Sequence, residues 1–185
     1  MEMMYLFAVQ DPMVPIPSRK KAPNHKVDHM FAHMLRVFSD SYDVGKDISG
    51  DEQDAPFQGK HQDKQRVTYK KAGDGFMIDS LCEHGFTISF YPRNAPPPKK
   101  WIDKGFSPTH SRVLSMFESL TGKYFRCGMD NLFISAKFLY GAFRYCSSQV
   151  LVHGVCRKSG RGLPSSVYQE EYKDPTSVKA QEARG

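Results

Sequence analysis

Two stretches carry apolar residues at helical spacing. Val27, Met30, Phe31, Met34, Leu35 and Phe38 follow the i, i+3, i+4, i+7 pattern of an amphipathic helix, with Asn24 ahead of them as its N-cap. Val113, Leu114, Phe117 and Leu120 form a second stripe, with Ser107-Pro108 as cap and first helical position and Gly122 as the stop. A third helix is expected from Leu132, Phe133, Ala136, Leu139, Tyr140 and Phe143. Strand patterns fall at residues 66–70, 75–82 and 86–92, the last with Phe86, Ile88 and Phe90 on one side. His84-Gly85 predicts a tight turn between the last two. Residues 124–129 and 150–152, with Val155, read as buried strands. The order helix, loop, strands, helix, strand, helix, strand predicts an α/β or α+β layer fold, a mixed sheet with helices packed on it.

The polar stretches supply the boundaries. Residues 1–23 hold Pro12, Pro15, Pro17 and Pro23 and are expected to form an extended lead-in. Residues 39–66 are polar and turn-rich, so Asp51-Glu52 reads as solvated loop charge. The run Ala95-Pro96-Pro97-Pro98-Lys99-Lys100 is a surface loop, and residues 172–185 form a polar tail without a core pattern.

Composition adds limits. With 185 residues, 39% hydrophobic and 25% charged, the chain fits one globular domain that needs no disulfide or metal staple to fold. Cys82, Cys127, Cys146 and Cys156 form no C-x-x-C pair and read as free thiols in a reducing compartment. Residues 3–9 are apolar but too short to span a bilayer, and Glu2 stands where a secretory signal has basic residues, so neither a membrane partner nor secretion is expected. A net charge of +6 and a pI near 9.1 permit a polyanionic partner. Arg19-Lys20-Lys21 is either a nuclear address or a solvated linker.

Three groups carry candidate chemistry. His25, His29 and His33 recur every fourth residue, but no acid or cysteine completes a zinc site, so a solvated helix face is expected. Arg157, Lys158 and Arg161 lie in a glycine-rich run, either a phosphate-tracking segment or a solubilising turn. Asp130-Asn131 stands where a strand gives way to a helix, the edge at which open α/β folds place ligands, or else it is only a helix cap. Glu83 likewise closes a predicted strand.

Taken in order, these segments resemble the transposase domain of piggyBac-type elements over residues 24–171. SGDEQ with the later Phe57-Gln58-Gly59 resembles the D-E-Q…F-x-G entry segment, and Tyr69-Lys70-Lys71 through Leu81-Cys82-Glu83-His84-Gly85 the first catalytic strand. Met129-Asp130-Asn131-Leu132-Phe133 resembles the second acid motif, and Val152-His153-Gly154-Val155-Cys156-Arg157 with Leu163-Pro164 the strand that follows. The resemblance implies a ribonuclease-H-like mixed sheet flanked by helices, incomplete at the C-terminus. It implies Glu83 and Asp130 as catalytic metal ligands for Mg²⁺ or Mn²⁺, and DNA as partner, contacted weakly and without sequence preference through Arg157, Lys158 and Arg161. Such sites clamp a phosphodiester between two ions about 3.5–4 Å apart. Glu83 stands where the family has aspartate, with Asp79 the out-of-register alternative; the third aspartate and the zinc-binding C-terminal domain lie beyond the matched region. The implied function is a transposase-derived domain related to cut-and-paste DNA transposition but catalytically incomplete. The alternatives are a relic or domesticated DNA-binding module and a truncated product that does not fold alone. A DNA-acting family implies the nucleus, with the cytoplasm as alternative, and leaves dimerisation open.

Overall fold

The computed structural model describes residues 13, 15, 17, 18, 21–66, 73–122 and 124–156. In chain order these form α1 (Asp28–Ser41), β1 (Asp47–Pro56), β2 (Gln65–Arg66), β3 (Asp74–Glu83), β4 (Phe86–Pro92), α2 (Lys99–Ile102), α3 (Pro108–Phe117), β5 (Tyr124–Met129), α4 (Ala136–Tyr145) and β6 (Gln149–Gly154). The strands make one six-stranded mixed sheet in the order β2-β3-β1-β5-β6, with β4 also paired to β3. β3 is antiparallel to β1, β2 and β4, whereas β5 is parallel to both β1 and β6. The expected α/β sheet with flanking helices is therefore what the chain forms.

The central strand is the segment whose composition predicts a loop. Asp47–Pro56 contains three aspartates and a glutamate, the small residues Ser49 and Gly50 near its start, and only Ile48 as a large apolar side chain. Its period of two is nonetheless present: Ile48 and Gly50 are buried, while Asp47, Ser49 and Asp51 are exposed. Low strand propensity is overridden because β1 has ladder partners on both edges. The expected strand at 66–70 shrinks to Gln65–Arg66, its remainder lying outside the described residues. The 150–152 strand is an edge strand rather than a buried one: Val150 is buried, but Leu151 is 52% exposed.

The helices form as their caps dictate. Ser107 Oγ accepts the His110 N–H at 3.2 Å with Pro108 as first helical residue, and Ser135 Oγ accepts the Phe138 N–H at 3.2 Å. α1 starts later than expected, because the Asn24 side chain bonds Asn94 instead of capping it. β3 and β4 are joined by His84 and Gly85, with φ of 48° and 83°, the positive pair that a two-residue type I′ hairpin turn requires.

The core lies between one sheet face and α2, α3 and α4: Leu81, Ile48, Phe125, Cys127, Met129 and Val150 meet Trp101, Val113, Leu114, Phe117, Phe133 and Phe138. Burial holds the Cys127 and Cys146 thiols up at about 12, so both stay protonated and inert. α1 lies across β4, with Phe31 and Phe38 edge-on to Phe90 and Tyr42 stacked on Phe86. Across the β1–β5–β6 half of the opposite face no helix packs among the described residues.

A buried ion cluster locks β1 to β3. Asp79, fully buried, accepts from Arg93 Nε at 2.7 Å, and the same guanidinium reaches Glu52, the cross-strand neighbour of Asp79. Arg112 of α3 stands 3.9 Å from the other Asp79 oxygen and donates to the Arg93 carbonyl at 3.0 Å. Desolvation pushes the Asp79 carboxyl above its ordinary range, partly offset by Arg93. Breaking such a pair strands a buried charge, so D79N is expected to destabilise the fold by roughly 3–5 kcal/mol. The paired change D79L/R93M should cost clearly less than the sum of its single changes, as read by urea unfolding.

Candidate functional site

The register places two aspartates at neighbouring positions at the end of the β1–β5 ladder, on the open sheet face. β1 and β5 run parallel with Gly50 level with Met129, so the next positions along are Asp51 and Asp130. Neighbouring strands lie about 4.8 Å apart, which sets the spacing of the two backbones. Burial alternates in phase on both strands, inward at Gly50 and Met129 and outward at Asp51 and Asp130. Each carboxylate is steadied by the next peptide: Asp51 Oδ1 accepts the Glu52 N–H at 2.7 Å, and Asp130 Oδ1 accepts the Asn131 N–H at 2.5 Å. Asp130 is not the cap of α4. Its carbonyl accepts the Phe133 N–H at 3.1 Å in an intervening turn, and Ser135 caps the helix.

Glu83 sits elsewhere. Ser49 pairs with both Cys82 and Gly128, which puts Glu83 level with Ile48 and Cys127 rather than with Asp130. Three residues along the strand and two strands across amount to roughly 14 Å between backbones. Its side chain is buried at 6% exposure, and its Oε2 accepts the Gly45 N–H at 2.8 Å, tying the α1–β1 connection to β3. A Cβ at Gly45 would stand 2.3 Å from Glu83 Oε1, so a larger residue there would push the Glu83 carboxylate aside. The Tyr42 hydroxyl is pushed up in pKa by desolvation and by the Glu83 carboxylate it faces. Asp79 is committed to the ion cluster. The structure thus brings Asp130 to Asp51 and neither Glu83 nor Asp79 to Asp130.

A row across the open face joins Cys82, Ser49, Gly128 and His153. Gly128 leaves room for the His153 ring, whose Nε2 stands 3.4 Å from where a Cβ would be. This row lines a shallow cleft of about 260 Å³, bordered by the Asp47–Arg126 ion pair with contacts of 2.6 Å. Both partners are more than 60% exposed, so the pair adds little stability and leaves a cation at the surface. A Cβ at Gly154 would lie 1.9 Å from the Met129 carbonyl oxygen, so glycine is required where β6 closes on the end of β5.

Arg157, Lys158 and Arg161 lie outside the described residues. His29 and His33 are exposed, as expected of a solvated helix face, and His33 Nδ1 lies 3.2 Å from Arg36. Among the described residues no group of three or more His, Cys, Asp or Glu stands ready to hold a metal. Asp51 and Asp130 suit a hard divalent ion in donor type and in access, since both offer anionic oxygen to solvent. The buried, hydrogen-bonded Glu83 does not share that access. Asp51 looks like loop charge in the sequence because its segment has one large apolar residue, Ile48, and no apolar alternation to mark a strand.

A mixed sheet backed by helices, with paired acids beside the carboxyl end of a parallel strand, defines a ribonuclease-H-like α/β core. The chain belongs to the Transposase IS4 family, whose model matches residues 8–184. In fold it is similar to the piggyBac transposase seen in a cryo-EM structure of its synaptic complex with hairpin DNA, with a TM-score of 0.76 and 16% identity. That match covers 90% of this chain and 34% of the other, so the chain spans about a third of that protein. No curated protein matches the sequence. Transposases of this DDE type generally use divalent metal ions.

The two kinds of carboxylate should separate in stability measurements. E83A loses the Gly45 bond and is expected to cost about 1–3 kcal/mol. D51N and D130N, at exposed positions, should stay within about 0.5 kcal/mol of the parent in urea unfolding.

Proposed function

We propose that this transposase-derived domain binds DNA along the open sheet face and holds a divalent ion between Asp51 and Asp130 against a phosphodiester. The observation that carries the proposal is the parallel register that sets these acids side by side, outward and accessible. A bound Mg²⁺ or Mn²⁺ would supply Lewis-acid polarisation of a phosphate oxygen. The chain's own part is positional. The peptide N–H groups of Glu52 and Asn131 hold one oxygen of each aspartate, directing the carboxylates outward. The β1–β3 ion cluster fixes the strand that carries Asp51.

Two carboxylates leave most of a divalent ion's coordination to water and phosphate, which favours weak, single-ion binding and slow cleavage over strand transfer. Glu83, the acid that the sequence resemblance puts in the catalytic set, acts in this reading as a structural tie to Gly45. The net charge of +6, with Arg157, Lys158 and Arg161 in the basic run after β6, supplies non-specific attraction for the phosphate backbone.

Titration of Mn²⁺ followed by its spin-resonance signal should show one site in the parent chain that is weakened at least tenfold in D51N and in D130N and retained in E83Q. Mn²⁺-dependent nicking of supercoiled plasmid should follow the same pattern. Retained ion binding in D51N together with loss in E83Q would return the role to Glu83. Stable DNA binding without nicking in the parent would identify a non-catalytic DNA-binding module. Neutralising Arg157, Lys158 and Arg161 together should lower affinity for all sequences alike and flatten the salt dependence by about two to three units of log–log slope.

A further inference from the structure

A second feature of the same sheet face points to what the bound nucleic acid presents. Four residues beyond Asp51, about 13 Å at the usual strand rise, Ala55 enters the wall of an apolar cavity of about 550 Å³. The cross-strand pairs Asp51–Ser80, Gln53–Ile78 and Ala55–Phe76 put the cavity floor on the face that carries Asp51. The start of α1 roofs it through Val27, Met30 and Phe31. Phe76 meets Phe57 at 5.4 Å and His61 at 5.1 Å between ring centroids, giving an aromatic wall.

We propose that this cavity receives an unpaired nucleobase from the nucleic acid bound at Asp51 and Asp130, an inference that rests on the DNA-binding reading above. The polar lining decides the class of ligand. Asn24 and Asn94 donate to each other's side-chain oxygens at 3.2 and 2.8 Å. A carboxamide has two N–H donors and an oxygen with two lone pairs, so each keeps a donor and an acceptor site after this exchange. An aliphatic ligand would strip water from those amides without replacing it, whereas the edge of a heterocyclic base offers matching donors and acceptors. Aromatic walls accept any base face by stacking. Exposed Lys26 and partly exposed His25, both at the cavity, suit the attached phosphate.

The test uses the 185-residue chain and free 2-aminopurine deoxyriboside, followed by saturation-transfer NMR, with indole as an apolar control. Transfer to both probes is expected in the parent. A55W, which fills the cavity, should abolish both, and N94L should lose the nucleoside while keeping indole. A second arm measures affinity for a duplex with a short single-stranded overhang, intact or abasic at one overhang position. Removing the base should weaken binding about tenfold in the parent and not at all in A55W. The proposal is overturned by absence of nucleoside transfer in the parent, by equal transfer in A55W, or by nucleoside binding that survives N94L. Nucleoside binding without DNA binding would sink the DNA reading while leaving the cavity's ligand class standing. DNA binding indifferent to the abasic site would do the reverse.

Discussion

The arrangement depends on β1 having hydrogen-bonded partners on both edges that run in opposite directions. Its antiparallel ladder to β3 and parallel ladder to β5 decide which strand ends become neighbours. Glu83 and Asp130 both close strands, and on the sequence they look equivalent. Because β3 runs against β1 and β5 runs with it, the two acids finish at different levels, one buried among Gly45 and Tyr42 and the other in solvent beside Asp51. Strand direction, a property of the whole sheet, assigns their roles.

That arrangement needs the ion cluster around Asp79. A central strand as polar as β1 gains little from apolar burial, since only Ile48 contributes a large side chain to the core. Glu52 and Asp79 face each other across the β1–β3 pair, and two carboxylates so placed would repel. Arg93 lies between them and Arg112 reaches in from α3, so the repulsion becomes a clamp tying sheet to helix. The desolvated aspartate makes the clamp sensitive to the loss of either arginine, and a one-residue slip of β1 would separate Glu52 from it.

Local chemistry made much of this legible. The serine caps of α3 and α4, the stripe of α1, the His84-Gly85 turn and the apolar runs of β3, β4 and β5 each declare themselves within a few residues. What stayed hidden is non-local. Nothing inside Asp47–Pro56 announces that β3 and β5, both later in the chain, will pair with it. The Asn24 side chain serves Asn94, seventy positions on, instead of its own helix. Asp130 was visible as an acid at a sheet edge, but its neighbour Asp51 was not, because adjacency across a parallel pair cannot be read from either strand.

The polar character of β1 then has a direct reading. A central strand with a bare outer face would ordinarily carry β-branched or aromatic residues, and aspartate and glycine are among the weakest strand formers. Gly50 also leaves room on the inner face for the end of the Met129 side chain, whose Cε lies 2.3 Å from where a Cβ would be, at the ladder position next to Asp51. Sequences tend to break local rules where function requires it, with compensation elsewhere. Here the compensation is the Asp79–Arg93–Glu52 clamp on the inner side. What the broken rule provides is two accessible carboxylates on a rigid strand pair, with an aromatic cavity further along the same face. A strand optimised for stability alone would have neither.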